Sequence, residues 1–213
     1  MKPIHAFVVL LAAGIAPVQA ATITFTSEGL PSSASPNETV IESFDSPLAA
    51  GYSWSGFNRS LWSSSGNPTG NLFDTGVSGQ AGNIPGNETV FAAVFGGQSA
   101  TLSSTRMLTS LSVDIGSIDT YNFIDFYNGD ELIGSLTGSD LSSDPNGAWT
   151  GSAANRRFFF LGQQFNKVTF RSTGNSFEFD NIATAEVPEP AMLSLFGLGL
   201  VGLAGARRRR AAR

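Results

Sequence analysis

The chain has 213 residues, with 17 acidic and 12 basic residues, no cysteine, and a single histidine, His5. Without cysteine there is no disulfide framework, no thiolate metal site and no thiol nucleophile. Because His5 lies in a predicted export signal, the mature protein would have no imidazole for a metal site or for a Ser/His/Asp triad.

The first 20 residues have the order of a secretory signal peptide. Lys2 precedes an apolar stretch at 6–15, and Val18 and Ala20 are small residues at the positions that a signal peptidase reads. The apolar stretch is about half of the ~20 residues that a membrane-spanning helix needs. We therefore predict export, with cleavage by signal peptidase after Ala20 and a folded domain at 21–186.

Residues 21–186 favour strands over helices, because no stretch keeps an apolar period of 3.6 over three turns. Three segments alternate between apolar and polar residues and predict half-buried strands at 111–115, 168–171 and 177–180. Six further strands are predicted at 21–26, 40–44, 90–95, 122–127, 131–136 and 157–161. Asn128-Gly129 between two of them predicts a β-hairpin.

Nine short strands with turn residues between them predict an all-β fold, an antiparallel β-sandwich of jelly-roll type. Most of the 17 phenylalanines lie in this domain and would fill the space between two sheets. Burying one aromatic ring is worth roughly 1.5–3 kcal/mol, so about a dozen rings would offset much of the chain entropy. Residues 58–87 have few anchoring residues and predict a long surface loop, either a binding loop or a slack linker.

Five aromatic residues are candidates for a platform on which sugar rings stack. Trp54 and Trp62 are the preferred pair because they flank the predicted loop, and the others are Tyr52, Tyr121 and Trp149. Tryptophans in a sandwich also often belong to the core, so a core position is the alternative for each.

Acidic residues are numerous but form no recognisable catalytic motif. A glycoside hydrolase needs two carboxyl groups about 5–9.5 Å apart. The unspecific candidates are Asp114, Asp119, Asp125, Asp130, Glu131, Glu178 and Asp180. Asp119 is also interpreted as a turn residue that bonds its own backbone, and Lys167 as a solvated strand residue. We predict that the chain is not an enzyme and has no catalytic residues.

Calcium is the metal that oxygen-rich side chains would suit best. Asp180 and Asn181 would meet Glu42 and Asp45 if the first and last strands pair. No calcium loop of recognised spacing is present, so we favour a strand-closing role for Asp180 and Asn181. We predict no cofactor.

Charge is divided unevenly along the chain. Residues 21–186 have 16 acidic against 6 basic residues, a net charge of −10, whereas residues 187–213 have 1 against 5. An acidic domain without a basic stripe repels phosphate backbones, so we predict no nucleic-acid partner.

Residues 187–213 combine three features in a fixed order. Pro188-Glu189-Pro190 precedes an uncharged, apolar segment at 191–206, which is followed by Arg207-Arg208-Arg209-Arg210. The prolines keep the triplet extended and accessible. Residues 187–206 would give about 30 Å of helix, enough to cross a thin bilayer, with the arginines on the cytoplasmic side. A packed helix of the soluble domain is the alternative.

This three-part tail resembles the PEP-CTERM sorting signal of exported bacterial proteins. The resemblance implies that an exosortase, a membrane enzyme with a cysteine nucleophile, recognises and cleaves the tail. Pro188, Glu189 and Pro190 would then be the motif of a substrate. Residues 116–129 and 177–182 also resemble the predicted β-sandwich ectodomains that precede such tails, which implies a fold and no catalytic residues.

These features predict an exported protein, anchored in the membrane before processing and then located at the cell surface or in the extracellular matrix. Its β-sandwich would be structural, adhesive or bind exopolysaccharide. The alternative is a secreted carbohydrate-active enzyme that uses a carboxylate pair. Paired carboxylates across a concave, aromatic-lined groove would favour the enzyme, and carboxylates scattered over convex faces would favour the binding protein.

Overall fold

The computed structural model of the protein describes residues 23–29, 34–60, 70–86, 89–150 and 154–187. The named strands in these ranges all pair antiparallel, so the predicted all-β class is confirmed. The elements are β1 (Thr24–Gly29), β2 (Thr39–Glu42), β3 (Tyr52–Ser55), β4 (Leu72–Phe73), β5 (Phe91–Val94), β6 (Ser99–Gly116), β7 (Asn122–Asn128), β8 (Glu131–Thr137), α1 (Gly138–Leu141), β9 (Arg156–Ser172) and β10 (Phe177–Glu186).

Strands β6 and β9 pair with each other and continue from one half of the sheet into the other. Their segments 108–116 and 156–161 lie in the half that also contains β1, β2, β4, β5 and β10, called here the β10 half. Their segments 99–104 and 167–172 lie in the half with β3, β7 and β8, called the β7 half. The pairing register shifts between these segments, where both strands pass from one half to the other.

The two halves face each other across an aromatic core. Phe170 of the β7 half stacks on Phe179 of the β10 half, with ring centroids 4.4 Å apart, and Phe126 meets Phe160 at 5.3 Å. All four side chains are fully buried. The predicted aromatic core is thus confirmed, and burial of each ring is worth roughly 1.5–3 kcal/mol. The jelly-roll type stays a prediction.

Each predicted strand overlaps an observed one, but two observed strands are much longer than predicted. The predicted strands at 157–161 and 168–171 are one continuous strand, β9, and the one at 111–115 is the end of the 18-residue strand β6. Strands β3 and β4 were not predicted. Both are short, at four and two residues, so the aromatic–serine alternation of β3 covers only two repeats.

The predicted hairpin is confirmed, with a shift of one residue. Strands β7 and β8 pair antiparallel, and Asn128 pairs with Glu131, so the two loop residues are Gly129 and Asp130. Gly129 has φ +60°, a conformation that glycine adopts without steric cost.

The outer face of the β10 half is buried, contrary to prediction. Ser112 and Asp114, which alternate with core residues of β6, are 0% and 4% exposed, and Glu178 and Asp180 of β10 are fully buried. Part of the cover comes from the segment before β2, where Glu38 accepts the hydroxyls of Ser110 and Ser112. The interpretation of these strands as half-buried is therefore wrong.

Residues 70–86 cover another part of this outer face. They bury a small second core against β5, formed by Phe73, Val77, Ala81, Ile84, Phe91 and Ala93. The prediction of a poorly anchored surface loop is therefore wrong for residues 70–86. Residues 61–69 and 87–88 lie outside the described residues.

Arg157 and Asp114 form an ion pair inside the outer face of the β10 half. Arg157 is 1% exposed; its Nη1 donates to Asp114 at 2.9 Å and to the Asn181 carbonyl at 3.1 Å, and its Nη2 donates to Ser112 at 2.7 Å. Burial raises the pKa of Asp114, although Arg157 opposes the shift. A buried pair of this kind is costly to break because one charge is left without its partner.

Replacing Arg157→Ala should lower the free energy of unfolding by about 3 kcal/mol, because Asp114 would stay buried without its cation. Lys167→Ala is the control, since Lys167 pairs at 2.8 Å with Asp130, which is fully exposed, and its loss should leave stability nearly unchanged. Urea unfolding of the full chain measures both variants. Equal losses for the two would contradict a special contribution of the buried pair.

Candidate functional site

Of the two preferred sugar-stacking tryptophans, Trp54 lies within the described residues and packs against the core. Trp54 is half-buried, packs at 5.3 Å from Phe57 and 6.0 Å from Phe179, and donates its Nε1 to Glu42 at 2.9 Å. This is the core position that was the alternative for Trp54. Trp62 lies outside the described residues, as do the sorting triplet at 188–190 and the arginines at 207–210.

The carboxylates proposed for catalysis are distributed over different faces. Asp125 accepts from Arg171 at 2.6 Å on the outer face of the β7 half, and Asp130 pairs with Lys167 at the β7–β8 loop. Asp114 lies in the other half, held by its buried arginine. Glu178 and Asp180 lie on the same buried face as Asp114, and Asp180 is its partner across β10 and β6, so the set matches neither of the two arrangements described from the sequence.

The strands expected to assemble a calcium site do pair, but the Glu42 carboxylate binds other protein groups. Ile182 of β10 pairs with Glu42 of β2. The Glu42 carboxylate accepts from Arg59 at 2.8 Å, from Trp54, and from the Phe44 backbone at 2.8 Å. Across the described ranges there is no group of three or more acidic or histidine side chains placed to hold a metal ion.

A cavity of about 260 Å³ lies where the connections between strands meet at one end of the sheet. Four segments line it: the loop before β5, the β6–β7 connection, the segment after α1, and the β9–β10 turn. The lining residues are Gly79, Gln80, Ser117, Asp119, Tyr121, Asn146, Gly147, Trp149, Asn175 and Ser176. The site is called here the Trp149 cleft.

Trp149 forms an exposed aromatic wall of this cleft. Its side chain is 45% exposed, and one part of the ring lies against the backbone at Gly82. A Cβ atom at Gly82 would come within 2.7 Å of the Trp149 Cδ1 atom, so only glycine leaves room for the indole here. The indole is therefore positioned by packing while part of it stays open to solvent.

Asp119 places its carboxylate against Gly147, which has φ +67° and no side chain to displace it. The turn was predicted to be held by Asp119 itself. Instead, Asn122 accepts the Asp119 backbone N–H at 2.7 Å, and the Asp119 side chain lines the cleft near the Tyr121 hydroxyl. Burial raises the pKa of Asp119 above its ordinary value.

Tyr121 completes the polar side of the cleft. Its hydroxyl donates to the Asn175 carbonyl at 2.5 Å and lies close to Asp119. Burial raises the pKa of Tyr121, and the nearby Asp119 carboxylate raises it further. The phenol therefore stays protonated at any physiological pH, and its one proton is used in the bond to Asn175.

Glu178 lies beneath the cleft and is fully buried. Its carboxyl group accepts the Gly82 backbone N–H at 2.9 Å and the hydroxyls of Ser117 and Ser176. These three groups belong to three of the four segments that line the cleft, so one carboxyl group connects its walls. Burial raises the pKa of Glu178 to about 7, although its hydrogen bonds oppose the shift.

Trp149 and Tyr121 were among the predicted platform residues, but they were not the preferred ones. Asp119 was named only as an unspecific carboxylate and a turn residue, and the other polar residues of the cleft were missed. A local signal exists in Asp144-Pro145-Asn146-Gly147, a typical turn sequence immediately before Trp149, which predicts that this tryptophan lies on a loop.

Stability should fall as the pH rises from about 4.5 to about 7, because the folded protein keeps a proton on Glu178 that the unfolded chain has released. The full shift corresponds to about 3 kcal/mol. Glu178→Gln keeps the shape of the side chain but cannot ionise, so most of this fall should disappear. The remaining slope would include Asp114, whose pKa burial also raises.

Urea unfolding at about pH 5 and about pH 8 measures the effect. Glu131→Gln, at an exposed position of β8, is the matched control and should keep the wild-type pH dependence. An unchanged pH dependence in Glu178→Gln would mean that Glu178 is not the group that takes up the proton.

Two solved structures have folds that resemble this one. The first is a mutant of CBM29-2 from work on ligand recognition by family 29 carbohydrate binding modules, with TM-score 0.35 and 14% identity, covering 79% of this chain and 98% of that chain. The second is CpGH89CBM32-6 produced by Clostridium perfringens, with TM-score 0.30 and 16% identity, covering 55% and 92%. The chain matches no curated protein in sequence.

The end of the chain gives a direct family match. The model of the PEP-CTERM protein-sorting motif matches residues 186–210. None of the helices among the described residues has the length and apolarity needed to cross a bilayer. The resemblance drawn from the Pro-Glu-Pro triplet, the apolar segment and the arginines is thus confirmed, and the chain carries a PEP-CTERM protein-sorting motif.

Proposed function

We propose that this protein is a sorted surface protein whose β domain binds polysaccharide at the Trp149 cleft. The observation that carries the proposal is the half-exposed Trp149 indole, fixed beside a concave group of hydrogen-bonding side chains. An aromatic face packs on the C–H face of a sugar ring, and amide, hydroxyl and carboxylate groups bond its hydroxyls. The cleft offers both kinds of contact within one cavity.

The chemistry of the cleft favours binding over hydrolysis. Hydrolysis of a glycosidic bond uses two carboxyl groups on either side of the bond. Among the described lining residues Asp119 is the only acid. Glu178 is the next candidate, but it is fully buried and both of its oxygens accept protein hydrogen bonds. We therefore propose a non-catalytic role for the domain.

The sorting motif supports a proposal for delivery. The chain would be exported through a signal peptide at 1–20, removed by signal peptidase, and held in the membrane by the apolar segment at 191–206. The motif implies an exosortase as the processing partner. After processing, the β domain would be located at the cell surface or in the extracellular matrix, where exopolysaccharide is available.

Trp149→Ala should abolish binding in a polysaccharide pull-down or glycan array, because the aromatic wall of the cleft is lost while no core contact is removed. Trp54→Phe is the matched control at the other predicted tryptophan. It should lower stability, since the Trp54 Nε1 bond to Glu42 is lost, and leave binding unchanged. Binding that survives Trp149→Ala and is lost in Trp54→Phe would instead support the platform first predicted from the sequence.

The protein recovered from the cell surface should lack the arginine-bearing tail, and its intact mass should show this. Replacing Glu189→Ala within the sorting triplet should leave the tail in place and keep the protein in the membrane fraction. Glu131→Ala, at an exposed position of the β domain, should be processed like the wild type. Surface material that still contains residues 191–213 would contradict processing.

A further inference from the structure

The charge inside the Trp149 cleft is of one sign. Asp119 is the only charged side chain among the described residues that line the cleft; the others contribute amides, hydroxyls, backbone groups and the rings of Tyr121 and Trp149. The buried Arg157 and the half-buried Arg171 pair with other carboxylates elsewhere. A negative charge beside aromatic faces attracts a cation.

The Asp119 side chain is partly buried. It lies against Gly147 and close to Tyr121, whose hydroxyl proton is donated to the Asn175 carbonyl. Burial raises the pKa of Asp119, because removing the carboxylate from water costs free energy, although the nearby Tyr121 hydroxyl opposes the shift. A ligand that brings a positive charge and N–H donors would offset this cost, and the bond formed would be charge-assisted.

We propose, on the basis of the carbohydrate-binding function proposed above, that the cleft selects sugar units with a free ammonium group, as in a deacetylated amino-sugar polymer. The ammonium group donates to Asp119 while the C–H face of the ring packs on Trp149. N-acetylation removes the charge, so the neutral form loses this contact. Uronate and sulfate groups place a like charge against Asp119 and are disfavoured.

Size and long-range charge support the same ligand class. The cavity of about 260 Å³ is smaller than the roughly 300–1,000 Å³ of sites for drug-sized ligands, which fits one sugar unit of a longer chain. Residues 21–186 have a net charge of −10, which attracts a cationic polymer and repels an anionic one. Binding should therefore weaken as the salt concentration rises.

The test compares two probes of equal length, a fully deacetylated β-1,4-linked glucosamine hexamer and its fully N-acetylated form. Both are titrated by calorimetry into the full-length chain in detergent. The pH is kept below the pKa of the sugar amine, so that the amine is charged. The wild type should bind the deacetylated hexamer about tenfold more tightly. Asp119→Asn should remove this preference, and Asp130→Asn, which removes one exposed charge of the same sign, should keep it.

Each result separates the two proposals. Equal wild-type affinities for the two hexamers, with both lost in Trp149→Ala, would overturn ammonium selection and leave carbohydrate binding intact. A preference that persists in Asp119→Asn would overturn the assignment to Asp119. If neither hexamer binds while another polysaccharide does, ammonium selection fails alone; if no polysaccharide binds, the proposed function fails with it. The wild-type comparison needs no variant and is independent of any folding defect.

Discussion

The pairing of β6 with β9 connects every layer of this protein. The two strands hydrogen-bond in the β10 half, shift register, and pair again in the β7 half. The two halves that these strands join face each other, so that Phe170 of β9 stacks on Phe179 of β10. The long β6–β9 pair thus holds the two halves together around the aromatic core, which stabilises a small domain without disulfides.

The second constraint is the burial of polar groups on the outer face of the β10 half. Arg157 forms an ion pair with Asp114 there. Glu38 accepts hydrogen bonds from two serine hydroxyls, and Glu178 accepts hydrogen bonds from groups of the cleft walls. Buried polar groups of this kind stabilise a fold only when each finds a partner. Glu178 therefore belongs to the fold and to the cleft at once, since the hydroxyls that it holds line the cavity.

Much of the architecture could be predicted from the sequence, because it depends on local patterns. The alternation around Phe177 and Phe179 predicted a strand, in which both rings are buried, and the turn at Gly129 predicted a hairpin. The burial of Ser112 and Glu178 could not be predicted, because Glu38 and Gly82, which contact them, are distant in the sequence. The greater exposure of Trp149 than of Trp54 also could not be predicted, since periodicity does not tell which ring is covered by another part of the chain.

The sorting motif at residues 186–210 begins in the last residue of β10, so no spacer separates it from the sheet. Val187 still donates its backbone N–H to Met107 at 2.9 Å. A pull on the tail would act along β10, which is bonded to β6 on one side and to β2 and β5 on the other. Such a load shears many hydrogen bonds at the same time instead of opening them one after another, which makes this strand a mechanically strong point of attachment.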